Sequence, residues 1–364
     1  MRMRSQLFNK VSRIVVKLGT GVLTDSRKQP DLAQMEQLVA QMARQCQAGI
    51  QVILVTSGAV GSGMGALGFQ KRPGALAELQ ACAAVGQSRL MATYEKLFAR
   101  HGLHVGQVLL THEDLQDHQR HLNARNTLVT LLKHGVIPII NENDAISTTE
   151  LKFGDNDRLS ALVAALLPAD LLVILTTVDG VIADYGKPGA HTLNTIPRID
   201  AAVEAMAGGT TSETAVGGMA SKIQAAKIVV RSGIPLVIAS GRKANVLADI
   251  LAGTGEGEGE GTLFVPHSSR LPARKRWIAF FHHPQGRLFV DAGARRALCE
   301  SGRSLLPPGV AKFEGEFRVG DVLSICDLAG HEFARGIGAA GAEDLRSRRR
   351  PRKEVIHRDN LVIL

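Results

Sequence analysis

The chain has 364 residues, 45% hydrophobic but only 4% aromatic, with 38 glycines, four cysteines and a net charge of +9. That length suits two domains, and the scarcity of aromatic residues argues against an aromatic-lined binding protein. No apolar run approaches the ~20 residues that cross a bilayer, residues 1–10 lack the apolar core of a signal peptide, and Cys46, Cys82, Cys299 and Cys326 show no paired spacing, so a reducing, cytoplasmic setting is expected rather than a disulfide framework or a zinc site.

Strand-like runs rich in Val and Ile recur at 13–18, 51–56, 105–110, 136–140, 171–176 and 235–239. They are apolar on consecutive positions, which predicts strands buried on both faces. Helical patterns lie between them at 32–47, 75–100, 123–134, 157–167 and 221–231. The alternation predicts an α/β domain, a mainly parallel sheet with helices on both faces, whose ligands bind beyond the carboxyl ends of the strands. The run 253–261, alternating Gly with Glu after Gly253-Thr254, cannot bury a core and marks a linker. The expected division is therefore 1–264 and 265–364. Past the linker, short segments at 277–281, 287–290, 317–318, 322–325, 332–336 and 361–364 predict a small β-barrel. This last part holds 18 basic and 11 acidic residues, most of the net charge, with Arg346, Arg348, Arg349, Arg350, Arg352 and Lys353 close together. Such a run is either a solvated tail or a surface for nucleic acid or an acidic partner.

The motifs fall at strand ends. Asp155 and Asp157 flank Asn156 just before an apolar helical run, and two like charges so placed call for a cation opposite. Lys17 ends a buried strand before Gly19-Thr20-Gly21, and Lys222 follows Gly217-Gly218-Met219-Ala220-Ser221; bare backbone N–H groups and an ammonium at such turns suit phosphate. Ser57 opens the glycine-rich stretch Gly58–Gly65 and is placed to donate to a carboxylate or phosphate. Asn141-Glu142-Asn143-Asp144 is a polar cluster too dense for turn formation alone. His112, His118 and His121 sit among acids and amides; a solvated helix start explains them more simply than a metal site. No GxxxxGK[ST] motif occurs, which argues against a P-loop nucleoside triphosphatase.

Taken together, Val15-Val16-Lys17-Leu18-Gly19-Thr20, Val55-Thr56-Ser57-Gly58-Ala59-Val60, Ala84-Val85-Gly86-Gln87, residues 141–145, residues 154–157 and Gly217-Gly218-Met219 with Lys222 resemble the amino-acid kinase family, in particular its members that act on glutamate. Residues 274–278, 304–307 and 357–359 resemble the PUA domain appended to many of them, a domain that elsewhere binds RNA. Two positions depart from the family pattern: Thr176-Thr177 where Thr-Asp is usual, and Ala215-Val216-Gly217-Gly218-Met219 where Gly-Thr-Gly-Gly-Met is usual. The second domain is also short around residues 346–355.

The resemblance implies a three-layer αβα amino-acid kinase fold and transfer of the ATP γ-phosphoryl group to the side-chain carboxylate of L-glutamate, the first step of proline synthesis. It assigns Lys17, Lys222 and Asp157 to catalysis and Ser57, Asp144 and Asn156 to glutamate. ATP falls to Lys17, Thr176, Thr177, Val216, Gly217, Gly218, Met219, Ala220, Ser221 and Lys222, with Mg²⁺ on its phosphates and no metal ligand named. It further implies a cytoplasmic homo-oligomer, feedback inhibition by proline, RNA as a partner of the second domain, and no membrane partner. Rival expectations are a kinase of acetylglutamate or aspartate, and an RNA-binding regulator with a degenerate kinase domain.

Overall fold

The structure, a computed structural model, describes residues 2–25, 30–146, 156–206, 218–252, 259–267, 271–347 and 354–364. Gly154, Asp155, Val216, Gly217, the basic positions 348–353 and residues 253–258 of the Gly/Glu run lie outside them. The chain divides into two compact units, Met1–Arg270 and Leu271–Leu364.

In chain order the first unit runs α1 (Arg2–Phe8), β1 (Arg13–Leu18), α2 (Thr20–Leu23), α3 (Leu32–Gln47), β2 (Gln51–Val55), α4 (Ala59–Ala66) and α5 (Leu76–Ala99). It continues through β3 (His104–Leu110), α6 (His112–Gln116), α7 (His118–Lys133), β4 (Val136–Glu142), α8 (Asn156–Leu166) and β5 (Leu171–Thr176). Three two-residue strands, β6 (Ile182–Ala183), β7 (His191–Thr192) and β8 (Thr195–Ile196), precede α9 (Ala201–Met206), α10 (Met219–Arg231), β9 (Leu236–Ser240), α11 (Val246–Ala252) and β10 (Thr262–Phe264). Eight strands form one sheet in the order β3-β4-β2-β1-β5-β9-β10-β8. All its pairings are parallel except β9 with β10, as the βα alternation requires.

β1 occupies the middle of this sheet, pairing Lys17 with Val55 of β2 on one side and with Ile174 of β5 on the other. Its residues Ile14, Val16 and Leu18 enter a core cluster with Met35, Leu38 and Met42 of α3 and Tyr94 and Phe98 of α5. Since strand side chains alternate in direction, Val15 and Lys17 face the other way, toward α8, which packs on β1. All of α8 but Arg158 is buried, so its first turn carries Asn156 and Asp157 into the interior. Helix α1 is tied on by the buried Arg4, whose guanidinium donates to the carbonyls of Asn194, Glu260 and Gly261 at 2.5–2.7 Å.

The second unit holds α12 (Ala273–Arg276), β11 (Gly286–Val290), α13 (Ala292–Ser301), β12 (Val310–Glu314), β13 (Val322–Cys326), β14 (Glu332–Ile337), α14 (Ala342–Arg346) and β15 (Leu361–Ile363). Its sheet has the order β12-β11-β13-β14-β15, antiparallel except for β11 with β13, around a core of Leu288, Val290, Leu323, Ile325 and Ile356.

Two of its expected strands are corrected. Trp277–Phe281 is a π-helical turn continuing α12; consecutive apolar residues do not distinguish a buried helical turn from a buried strand. Residues 317–318 lie outside any strand, and the neighbouring strand is Val310–Glu314, whose mostly exposed, mixed pattern gave no period-2 signal.

Candidate active site

Lys17, Asp157 and Lys222 come from three separate elements, β1, α8 and α10, and meet in the interior. Lys17 Nζ is 2.6 Å from Asp157 Oδ1, and Lys222 Nζ donates to Asp157 Oδ2 at 3.0 Å. Asp157 is fully buried and each lysine is 6% exposed. Burial opposes ionisation of Asp157, but Lys17 and Lys222 outweigh it, and its carboxyl lies below the usual range, at about 2. It is therefore a fixed anion at neutral pH, holding both ammonium groups in place.

Ser221 Oγ lies within hydrogen-bond distance of Asp157 Oδ2 (2.7 Å) and of the Gly218 carbonyl (2.8 Å). Gly218 caps α10 in an extended conformation with no side-chain bond to the helix. The first N–H groups of α10, at Met219, Ala220 and Ser221, belong to the turn that leads into Lys222, and a helix start of this kind suits an anion. Thr176 ends β5, and its carbonyl accepts from the Gly241 N–H at 2.9 Å. The methyl of Thr177 would lie 3.0 Å from a Cβ added at Gly21, so this threonine stands against α2. Of the expected nucleotide residues, Val216 and Gly217 lie outside the described residues.

Beside the lysine pair lies a second polar group. Gly58, with φ +101°, lets the chain turn from β2 into α4 and leaves Ser57 buried at the strand end. Asn156 Nδ2 lies within hydrogen-bond distance of the Thr56 carbonyl (2.7 Å), Ser57 Oγ (3.0 Å) and Asn141 Oδ1 (3.0 Å), and shares its two N–H groups among these three acceptors. Asn141 Nδ2 in turn donates to Gln87 Oε1 at 2.8 Å. Ser57 and Asn156 are thereby brought together, one residue from Asp157.

The polar cluster at the end of β4 divides. Asn141 and Glu142 turn inward and are buried, whereas Asn143 and Asp144 are half-buried in the following turn. Glu142, Asn143, Asp144 and Ala145 line a cavity of about 200 Å³ together with Ala59 of α4, Ala83, Ala84, Gln87 and Ser88 of α5, and Gln107 and Leu109 of β3. Burial raises Asp144 to about 6, against the lowering effect of Arg72. Its carboxylate is thus poorly solvated and gains from a cation placed in the cavity. At the histidine-rich stretch, Thr111 and Asp114 cap α6 reciprocally, Asp117 caps α7, and His121 is buried with Nδ1 3.3 Å from the Leu115 carbonyl.

Sequence reasoning assigned no role to Gln87 and Asn141 individually. Their signal, one polar residue on the buried face of α5 and one within the polar cluster ending β4, takes on meaning only when Gln87 and Asn141 are seen in contact.

The Amino acid kinase family model matches residues 12–240, and the PUA domain model matches residues 286–358. The chain is 46% identical over 98% of its length to the glutamate 5-kinase of Moorella thermoacetica, covering 97% of that protein. It is 47% identical over 96% of its length to the glutamate 5-kinase of Methylococcus capsulatus, covering 97% of it. Among solved structures it is similar in fold to a carbamate kinase from Giardia lamblia bound to AMP-PNP, with a TM-score of 0.53, 17% identity, and coverage of 71% of this chain and 99% of that one.

Proposed function

From the premise that this chain belongs to the amino acid kinase family, we propose the following division of labour within its site. The reaction is the ATP-dependent phosphorylation of the side-chain carboxylate of L-glutamate to L-glutamyl 5-phosphate, the reaction named by its full-length relatives. Both reacting groups are anionic, so the protein's task is to neutralise charge and to align donor with acceptor. The observation that carries the assignment is the buried carboxylate of Asp157 with Lys17 and Lys222 on its two oxygens. The ammonium groups flank the transferring phosphoryl, and Asp157 orients them. A carboxylate acceptor is already ionised at neutral pH, so no general base is required.

The α10 N-terminus, from Gly218 to Ser221, with Thr176 and Thr177, holds the nucleotide. Mg²⁺ would be held through the ATP phosphates and would supply neutralisation of their charge. No residue of this chain is assigned to it, because Asp157 is already engaged by Lys17, Ser221 and Lys222.

Ser57 and Asn156 hold glutamate near its reacting end, and Asp144 takes its α-ammonium. Proline carries the same α-carboxylate and an ammonium, which supports feedback inhibition by competition for this cavity. Homo-oligomerisation and a cytoplasmic location rest on the resemblance alone. RNA as a ligand of the second unit is supported by the exposed cations Arg287, Arg295 and Lys312, which suit a phosphate backbone. Among the described residues no helix is long and apolar enough to cross a membrane.

Incubation with ATP, Mg²⁺, glutamate and hydroxylamine tests the reading. The acyl phosphate is trapped as a hydroxamate, and ATP turnover without glutamate-dependent hydroxamate would overturn it.

The Asp144→Ala variant is expected to raise KM for glutamate at least about tenfold with little change in kcat, since the ion pair is made in ground and transition states alike. The wild-type KM should also depend on pH. With Asp144 raised to about 6, the free site is protonated below that pH and must lose its proton to meet the ammonium. Glutamate affinity therefore falls as pH drops from 7 to 5, up to about tenfold for each unit below the midpoint, and Asp144→Ala should flatten this dependence. A profile identical in both proteins would assign the titration elsewhere.

We also propose that residues 1–270 are catalytically competent alone, since Lys17, Asp157, Lys222 and Asp144 all precede the break between the units. Steady-state kinetics on that fragment should retain glutamate-dependent turnover; a folded but inactive fragment would place a necessary residue in the second unit.

A further inference from the structure

The polarity of the amide relay from Asn156 to Gln87 is set at its ends by the backbone. The Thr56 carbonyl can only accept, so the group 2.7 Å from it must be the amide nitrogen of Asn156. That nitrogen also faces Asn141, and the Glu142 N–H donates to the same Asn141 atom at 2.9 Å. Two donors converge there, so the atom is Oδ1 and the other end of Asn141 is its NH₂ group. The NH₂ meets Gln87, which must present Oε1 to it. The remaining end of Gln87, Nε2, is therefore a donor by necessity.

That donor is buried and has no hydrogen-bond partner among the described residues, while Gln87 is 8% exposed and lines the cavity that also contains Asp144. A buried amide N–H without an acceptor costs about 1–3 kcal/mol, and a ligand oxygen can remove that cost. Glu142 and Asp144 make the β4 side of the cavity acidic, suited to an ammonium. Gln87, with Ser88 beside it, gives the α5 side hydrogen-bond donors.

We infer that Gln87 Nε2 is a specificity-determining donor to the α-carboxylate of the amino-acid substrate, so that Gln87 and Asp144 together read the carboxylate and the ammonium of one α-carbon. The inference rests on the reading of this cavity as the glutamate site. The relay couples this recognition to the reacting end, because the Asn156 that turns Gln87 is the neighbour of Asp157. Gln87 is a binding residue and takes no part in the transfer itself.

The test compares glutamate with two truncated ligands, 4-aminobutyrate, which lacks the α-carboxylate, and glutarate, which lacks the ammonium, each measured as a substrate or as a competitive ligand. Wild-type protein should prefer glutamate over 4-aminobutyrate by at least about 10- to 100-fold, the range of a hydrogen bond to a charged group. Gln87→Met removes the donor at similar volume. Gln87→Glu keeps an acceptor for Asn141 and changes only the end that has no partner.

Both variants should raise KM for glutamate about 10- to 100-fold with the KM for ATP unchanged. Both should shrink the preference over 4-aminobutyrate while leaving the preference over glutarate intact. A purely structural role would instead move all ligands and ATP together, and Gln87→Glu would then be the milder variant; that result overturns the inference. Wild-type protein decides the matter even if neither variant folds. Discrimination against glutarate with none against 4-aminobutyrate overturns the role of Gln87 alone, whereas equal tolerance of both removes the amino-acid end from this cavity and the Gln87 assignment with it.

Discussion

Replacing Lys17 or Lys222 by alanine is expected to lower kcat for glutamate phosphorylation at least ~10²-fold, the scale of losing one charge partner of the transition state. Each ammonium is held by one oxygen of Asp157, so removing either leaves a lopsided site in which the carboxylate is still buried and ionised. The developing charge on the transferring oxygens then meets one cation instead of two. Both lysines act on the same phosphoryl group, so the double variant should lose far less than the product of the single effects. Rapid-quench or steady-state kinetics on folded variants, with circular dichroism to verify folding, measures this. A folded Lys17→Ala or Lys222→Ala protein with near wild-type kcat would remove that lysine from the chemistry.

The second large effect concerns packing. At the crossing of α4 and α5, a Cβ added to Gly86 would sit 1.8 Å from the Ala59 carbonyl oxygen and 2.5 Å from the Gly63 nitrogen. One added to Gly63 would sit 1.8 Å from the Cys82 carbonyl oxygen. These neighbours are backbone atoms, which cannot rotate aside, so Gly86→Ala must push the two helices apart. We expect a loss of about 3 kcal/mol or more, a fall in Tm of roughly 6–12 °C at the usual 2–4 °C per kcal/mol for a domain of this size, and a raised KM for glutamate in whatever remains folded, because Gln87 moves with its neighbour. Gly61 is the control, on α4, the helix that Gly86 of α5 meets. It has open space around its Cβ position, so Gly61→Ala should be neutral or stabilising by up to about 1 kcal/mol. Thermal melts of the pair decide the point; equal Tm values for Gly86→Ala and the wild type would show that the helices can separate at no cost.

Much of this protein was legible along the chain. The strands β1, β2, β4, β5 and β9 are so continuously apolar that their burial follows from composition, and the helices between them impose parallel pairing. Lys17 was visible for the same reason in reverse: a charge ending a run of Ile and Val at 14–16 must meet a counter-charge. The second unit was less legible. Val310–Glu314 exposes most of its residues and shows no alternation, and Trp277–Phe281 is apolar throughout, a pattern that a strand and a buried helical turn share.

The sequence by itself determined which residue types the site would contain, because a lysine or carboxylate adjoining a buried apolar run is costly unless a counter-charge meets it. It could not determine who meets whom. That Lys17 and Lys222, 205 positions apart in the numbering, share the two oxygens of Asp157, and that the unpartnered end of Gln87 is a donor rather than an acceptor, are decided by a sheet that sets β1 between β2 and β5, a helix α8 packed on it, and the contact of Gln87 on α5 with Asn141 on β4. Hydrogen-bond polarity passes only between touching groups, so Gln87 takes its orientation from the Thr56 carbonyl and the Glu142 N–H, through contacts that only the folded chain makes.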